Sequence, residues 1–270
     1  MEKHSDVLVI GGGIIGLACT YYLAKAGKNV RLLEQAAIGA DTAASYGNCG
    51  IVFISHLVPL CAPGTIRHEM MRCLQGGSPL YIKLAPDVKR FKWLFNFARK
   101  CNTRHMAHAI KARAGLLQNS IELLVKLLKE EHIECDWEEN GVLMVFKSRS
   151  EMQKYGETNH LMKPYGLDAV SLVGDALFDL EPALANDVYG AWFNKKDSHL
   201  RPDKLLSGWQ QVLLKMGVAI EENCRLEDLA VENRRIRHAQ TTGGIYTADE
   251  YVLATGHGMQ GISMATGTGK

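Results

Sequence analysis

The sequence predicts an α/β protein built on a Rossmann-type nucleotide-binding unit, and three observations predict it. Val7-Leu8-Val9-Ile10 is a continuous β-prone run, as expected of a buried parallel strand. It leads without a break into glycines spaced G-x-G-x-x-G at Gly11, Gly13 and Gly16. A helix is then predicted over 14–26 and a second strand over 29–33, which ends on an acid, Glu34.

Each element has a physical task. Gly11 permits a tight turn after the strand, Gly13 lets the backbone approach a pyrophosphate, and Gly16 lets the helix pack close to the strands. The predicted helix carries Leu17, Ala18, Tyr21, Tyr22 and Leu23 on its apolar side and stops at Gly27. Its N-terminus offers N–H groups and a partial positive charge to phosphate oxygens. Glu34 follows Gly16 by 18 residues, where a carboxylate accepts hydrogen bonds from ribose hydroxyls. An acid there disfavours a 2′-phosphate, which weighs against NADP and favours NAD or FAD.

The bulk composition is that of a globular protein, with 47% hydrophobic and 22% charged residues in 270. A formal net charge of +2 gives no reason to expect nucleic-acid binding. The seven cysteines are odd in number and form no C-x-x-C pair, so reduced thiols are expected rather than a disulfide framework. The apolar stretch over 7–18 is interrupted by Gly11, Gly12, Gly13 and Gly16 and is too short to span a bilayer. No targeting or transmembrane segment is read, and the expected location is cytoplasmic.

The segment over 35–51 does not continue into another crossover helix. It reads as a loop of small residues, Ala36, Ala37, Gly39, Ala40, Ala43, Ala44, Ser45, Gly47 and Gly50 among them, which would let a large planar cofactor lie against the backbone. Here the sequence resembles the D-amino acid oxidase superfamily of FAD enzymes, and most of all its bacterial D-amino acid dehydrogenases. The resemblance is carried by residues 7–16, by Leu33-Glu34-Gln35, by Ser45-Tyr46-Gly47-Asn48-Cys49-Gly50, and by the continuation from Ser55-His56 to Gly64. It implies FAD as cofactor, with Ile14 and Ile15 in the phosphate turn and Gln35 beside Glu34. It places Ser45, Asn48 and Gly50 along the ribityl chain and flavin ring, with Ile51 following them past the flavin. The fold implied is a Rossmann-type (GR2-like) FAD-binding domain with an inserted α+β substrate domain. The division expected is 1–55 for the first part of the FAD domain, 56–200 for the substrate region, and 201–270 for the return.

The span 87–128 reads largely as helices, with Phe91, Leu94, Phe95 and Ala98, then Leu116, Leu117, Ile121, Leu124, Leu127 and Leu128, at helical spacing. Lys89, Arg90, Lys92, Trp93, Arg99 and Lys100 read as a solvated face or as a membrane-surface contact. His105 and His108 could share a helix face, but no nearby Cys or acid cluster completes a metal site, and none is expected. A strand is predicted over 141–146, and a turn over 179–184. Arg201-Pro202-Asp203 opens a helix with Leu205, Leu206, Trp209, Val212 and Leu213 as its apolar positions and Gly217 beyond its end. Strands are read at Val218-Ala219-Ile220, at Arg225-Leu226 and over 235–242, with Gly243-Gly244 as a hairpin turn before a strand reaching Gly256. In the family this order returns the chain to the FAD sheet. Leu226 would hold the adenine through its backbone, and Gly256 would approach the cofactor.

The end departs from the family pattern. Relatives carry Ala-Thr-Gly twice, and here the two copies read as one at Ala254-Thr255-Gly256, the sequence before resembling the first site and the sequence after resembling the second. An internal deletion with a short C-terminal truncation is inferred, leaving the substrate domain incomplete, against the alternative of a natural minimal member. Gly261 and Ile262 would still offer N–H groups to the flavin pyrimidine carbonyl. Gly267-Thr268-Gly269-Lys270 lacks the first glycine and final Ser or Thr of a phosphate loop.

What the resemblance implies is oxidation of the CH–NH2 group of a D-amino acid to an imino acid, which water hydrolyses to a 2-oxo acid and ammonia, as in amino-acid catabolism. Electrons would pass to a quinone or another acceptor, with peripheral contact at the cytoplasmic face of the inner membrane. Two other readings stand beside it: a glycine or sarcosine oxidase-like amine oxidase, and an FAD-binding remnant without turnover. No nucleophile constellation is present. His56 is the one catalytic candidate, and it is read first as a structural histidine.

Overall fold

The computed structural model describes residues 3–74 and 87–256. In chain order its elements are β1 (Lys3–Ile10), α1 (Ile14–Lys25), β2 (Val30–Leu33), β3 (Ile51–Val52), α2 (Thr65–Leu74), α3 (Val88–Lys100), α4 (Thr103–Glu130), β4 (Val142–Phe146), α5 (Arg149–Gly156), β5 (Val170–Val173), α6 (Asp175–Leu180), β6 (Gly190–Asn194), β7 (Ser198–His199), α7 (Pro202–Lys215), β8 (Ala219–Glu221), β9 (Leu226–Glu232), β10 (Arg235–Thr241) and β11 (Gly244–Leu253). The chain divides into two compact units. The first is Met1–Ile51, Leu127–Glu138 and His199–Lys270; the second is Val52–Lys126 and Glu139–Ser198.

The first unit holds a six-stranded sheet in the order β8-β2-β1-β11-β10-β9. β1 pairs in parallel with β2 and β11, and β2 pairs in parallel with β8. β9, β10 and β11 form an antiparallel meander. Val7, Leu8, Val9 and Ile10 are all buried, the mark of a strand covered on both faces. One cover is made by α1 and α7. Leu17 and Tyr21 of α1 are buried, as are Leu205, Leu206, Trp209, Val212 and Leu213 of α7, and the Tyr21 and Trp209 rings meet edge to face at 6.2 Å. The segment after α4 is fastened to this unit: the Tyr21 hydroxyl donates to Glu131 at 2.6 Å, and Lys25 bonds both Tyr21 and Glu130.

Two turns differ from the sequence expectation. Thr241 pairs with Gly244, so the two-residue loop is Thr242-Gly243, and Gly244 opens β11. The preceding hairpin turns through Asn233-Arg234, both at positive φ (50° and 64°), the conformation a two-residue turn needs to match strand twist. Without a glycine there, the sequence gives only Asn233 as a weak signal.

The second unit holds the antiparallel sheet β4-β6-β5. Gly190 of β6 lies under α5, where a Cβ would stand 2.7 Å from the Met152 sulfur. The Trp192 indole N–H donates to the Met152 carbonyl at 2.8 Å, and Gly156 lies against the same indole. A separate apolar cluster gathers Leu57, Ile110 and Met162. Asp197 is fully buried and accepts from the N–H groups of Ile54 and Ser55, both at 2.9 Å, and from the Ser55 hydroxyl. Among the described residues no helix is long and apolar enough to cross a membrane.

Candidate cofactor-binding site

β1, β2 and β11 deliver their carboxyl ends to one place in the first unit. The Gly11 N–H donates to the Leu33 carbonyl at 2.8 Å, and the Ala254 N–H donates to the Ile10 carbonyl at 2.8 Å. Gly11 therefore sits between the last residue of β2 and the residue after β11. Its φ is +110°, and a Cβ there would lie 2.5 Å from the Ala254 carbonyl oxygen. Gly16 is more constrained still, since its Cβ would fall 1.7 Å from the Gly11 carbonyl oxygen. Helix, turn and strand can approach this closely only without side chains.

Gly13 is the N-cap of α1, with no side-chain cap and no acid in the first turn of the helix. The positive end of the helix dipole thus has no counter-charge within the helix itself. Ile14 and Ile15 at this end are exposed, at 39% and 65%. Ser45 folds back onto the turn, where its hydroxyl oxygen accepts from the Ile14 N–H at 3.1 Å.

Glu34 is half-buried and turned onto the glycine loop. One carboxylate oxygen accepts from the Gly12 N–H at 2.5 Å and the other from the Ala36 N–H at 3.2 Å. Behind it the Cys224 N–H donates to the Glu34 carbonyl at 2.8 Å, and the Asn223 N–H donates to the Ala36 carbonyl at 3.2 Å. These bonds bring the segment leading to Leu226 beside the end of β2. Leu226 opens β9 and packs half-buried against the cluster of Leu8, Ile10, Leu33 and Tyr246.

The 45–51 loop ends in a tight structural join. The Gly50 N–H donates to the Asn48 side-chain oxygen at 2.8 Å, and the Gly50 carbonyl accepts from the Leu200 N–H at 2.9 Å. Gly50 has φ +75°, and a Cβ would stand 2.1 Å from the Leu200 carbonyl oxygen. This position thus requires glycine for the fold itself. Asn48 and Gln35 are exposed, and Ile51 is half-buried.

The structure therefore gathers Gly11, Gly13, Ile14, Ile15, Gly16, Glu34, Gln35, Ser45 and the approach to Leu226 at one end of the sheet. Gly256 is exposed, three residues beyond β11, with φ +57°. His56 belongs to the second unit, where it is exposed with its ring 5.7 Å from that of Phe53. Gly261, Ile262 and the rest of the C-terminal flavin motif lie outside the described residues. Sequence reasoning missed three participants. Gly12 has no room for a side chain, since its Cβ would meet Glu34 and Ile38 at 3.0 Å. Ala254 walls Gly11. The Thr255 hydroxyl is buried without a hydrogen-bond partner among the described residues. The run of three glycines was the available signal for the first; the other two depend on how β11 meets β1.

These residues fit a dinucleotide. A cradle that any Cβ would fill, a helix N-terminus with no acid in its first turn, a carboxylate at the end of β2 and an orphaned hydroxyl beside the turn are the features such a ligand requires. Fold and site define a dinucleotide-binding α/β protein.

The chain belongs to the DAO family, described as FAD dependent oxidoreductase, which matches residues 6–270. It is 26% identical over 253 residues to a D-amino acid dehydrogenase from Helicobacter pylori and 29% identical over 259 residues to one from Methylobacterium nodulans. Each match covers 93% of this chain and 60% of the relative, so the chain spans about three-fifths of the length of these proteins. Among solved structures it is similar to glycine oxidase from Bacillus cereus (TM-score 0.61, 22% identity, 93% of this chain and 55% of the other). It is also similar to L-proline dehydrogenase from P. horikoshii (TM-score 0.62, 18% identity, 94% and 54%). FAD is the cofactor of the family, and at these identities the structural likeness speaks for the fold.

Proposed function

We propose that this chain is an FAD-dependent oxidoreductase of D-amino acids, with electrons leaving to a quinone or another acceptor. The observation that carries the cofactor assignment is the glycine turn closed against Ala254 with Glu34 turned onto it. When bound, FAD supplies a two-electron acceptor for the hydride of a substrate α-carbon. The protein's own part is binding and orientation. Gly11, Gly13 and Gly16 would open the approach, and the first N–H groups of α1, at Ile14 and Ile15, would hold the pyrophosphate, with the Ile14 N–H here donated to the Ser45 hydroxyl. Glu34 and Gln35 would take ribose hydroxyls. Ser45, Asn48, Gly50 and Ile51 would follow the ribityl chain and flavin, and the Leu226 backbone would hold the adenine. Gly256 would add to the flavin contacts, as the resemblance implies for Gly261 and Ile262, which lie outside the described residues. The D-amino acid specificity is supported by the names of the curated relatives.

The test is the visible spectrum of the purified chain before and after anaerobic addition of D-alanine, glycine or sarcosine. Flavin absorbance that bleaches with D-alanine supports the reading. Bleaching by glycine or sarcosine alone moves the substrate class to a glycine-type amine oxidase. Flavin that binds yet persists with every amine leaves a binding scaffold without turnover, and a protein that takes up no flavin overturns the cofactor assignment.

A further inference from the structure

We propose that the exposed apolar row of α3, together with the groove that α3 shares with α2, docks an acidic amphipathic helix of a partner protein. A globular helix is ordinarily held by an apolar face buried against its neighbours. None of the 13 residues of α3 is buried. Arg90, Leu94 and Phe97 are half-buried, as is Cys101 just beyond the helix, and they form a narrow stripe at helical spacing. A second row, Val88, Phe91, Phe95 and Ala98, stands apart from that stripe. Val88, Phe91 and Phe95 are 84%, 63% and 63% exposed, and Ala98 is exposed as well. The intervals in this row are those of a seam between two packed helices, whereas a lipid surface asks only for a broad apolar face. The helix is well formed at its start, where Asp87 accepts from the N–H groups of Lys89 and Arg90, and the Arg99 guanidinium lies 5.9 Å above the Phe95 ring.

The row runs into a groove at Ala98. Ala98 and Cys101 form one side of an open hollow of about 480 Å³, and Ile66, Arg67, Met70 and Met71 from α2 form the other. A rod-like partner can settle into a hollow between two helices, which a flat bilayer cannot enter. Unbranched methionine side chains adapt to varied apolar partners, and helices that dock in grooves present anchors at the same spacing as this row. Charge selects which helix. Residues 88–121 contain eight of the chain's 31 Lys and Arg residues and none of its 29 acids. Lys92 and Arg99 are exposed, and each follows a member of the row by one residue, which puts them along its border, while Arg67 lies in the groove lining. A second copy of α3 would set cation against cation, and a nucleic acid would leave the aromatic and methionine side chains in water. An acidic amphipathic helix matches both features, with carboxylates opposite Lys92 and Arg99.

This inference concerns the second unit and does not depend on the cofactor assignment, so the two can fail separately. The test is fluorescence anisotropy of a labelled peptide of about five helical turns, with Leu at the spacing of the row and Glu and Ala elsewhere, titrated with the whole chain. Saturable binding that weakens as salt rises is expected. Lys92→Glu with Arg99→Glu should weaken it by about tenfold, and a peptide carrying Lys in place of Glu should bind that variant about tenfold more tightly than it binds the unmodified chain. Both substitutions fall on exposed side chains, so the thermal midpoint should stay in place. Phe91→Ser with Phe95→Ser, and separately Met70→Ser with Met71→Ser, should each weaken binding of the Glu peptide by about tenfold. No saturable binding, indifference to the charge reversal, failure of the Lys peptide to recover binding in the reversed variant, or tighter capture of the chain by anionic phospholipid vesicles than by the peptide would each overturn the proposal.

Discussion

The glycine turn at the end of β1 and the helix α3 are opposite solutions to forming local structure. At the turn almost nothing is decided locally. Gly11, Gly12 and Gly50 are each required by an atom distant in sequence, in Ala254, Glu34 and Leu200, while Gly16 is required by Gly11 across the turn. In α3 almost everything is local. An Asp cap and i,i+4 neighbours support the helix, and among the described residues it buries no side chain. The difference teaches where substitutions register. A methyl group at the turn disturbs the fold, whereas a charge reversal on the exposed face of α3 leaves the fold alone.

The sharpest attempt to break this contrast is Gly16→Ala. The added Cβ falls 1.7 Å from a backbone oxygen. The expected loss is about 3 kcal/mol in urea denaturation, the upper range for overpacking, accompanied by loss of flavin binding. An unchanged denaturation midpoint would mean the turn can open, and the rigid cradle would be the wrong picture. Asp197→Ala comes next, because it strips the shared acceptor from the N–H groups of Ile54 and Ser55 and from the Ser55 hydroxyl in a fully buried site. The cost expected is about 2–3 kcal/mol, read by the same denaturation. It asks whether the second unit also contains a point where distant residues decide local structure.

Glu34→Gln is expected to act on binding more than on folding. The carboxylate accepts from Gly12 and Ala36 with two oxygens, and an amide has only one to offer. Flavin affinity should fall by about tenfold in a fluorescence titration, the scale of a weakened charge-assisted bond. The smallest effect belongs to Lys147→Ala, which breaks a fully exposed pair with Asp187. The Lys147 ammonium holds the Asp187 carboxyl below its usual value of 3.8. A carboxyl lowered by folding stabilises above that ordinary value, and the effect fades as pH falls through the native one. Solvent screening leaves no measurable shift in the denaturation midpoint at neutral pH, while the Asp187 titration followed by NMR moves back up.

Much of the first unit was legible in the sequence because its signals are short-range. The buried strand over 7–10, the glycine spacing, the helix from residue 14, the acid at 34 and the apolar positions of α7 all stand in the structure where the pattern puts them. Turn positions were less legible. The slip at Thr242-Gly243 came from reading two adjacent glycines as the turn, when strand register assigns the second to β11. The hairpin at Asn233-Arg234 went unread because a left-handed arginine has no sequence signature.

By itself the sequence determined that a nucleotide-binding βαβ unit is present and which acid ends its second strand, since both depend on residue type at fixed spacing along one segment. Only the tertiary structure decided that Ala254 and Thr255 wall the turn, that Glu34 is turned onto Gly12, that Gly50 is fixed by Leu200, and that α3 buries no side chain among the described residues. These depend on which distant backbone arrives beside which. Sheet order and packing set that, and the spacing of residues along a single segment does not encode it.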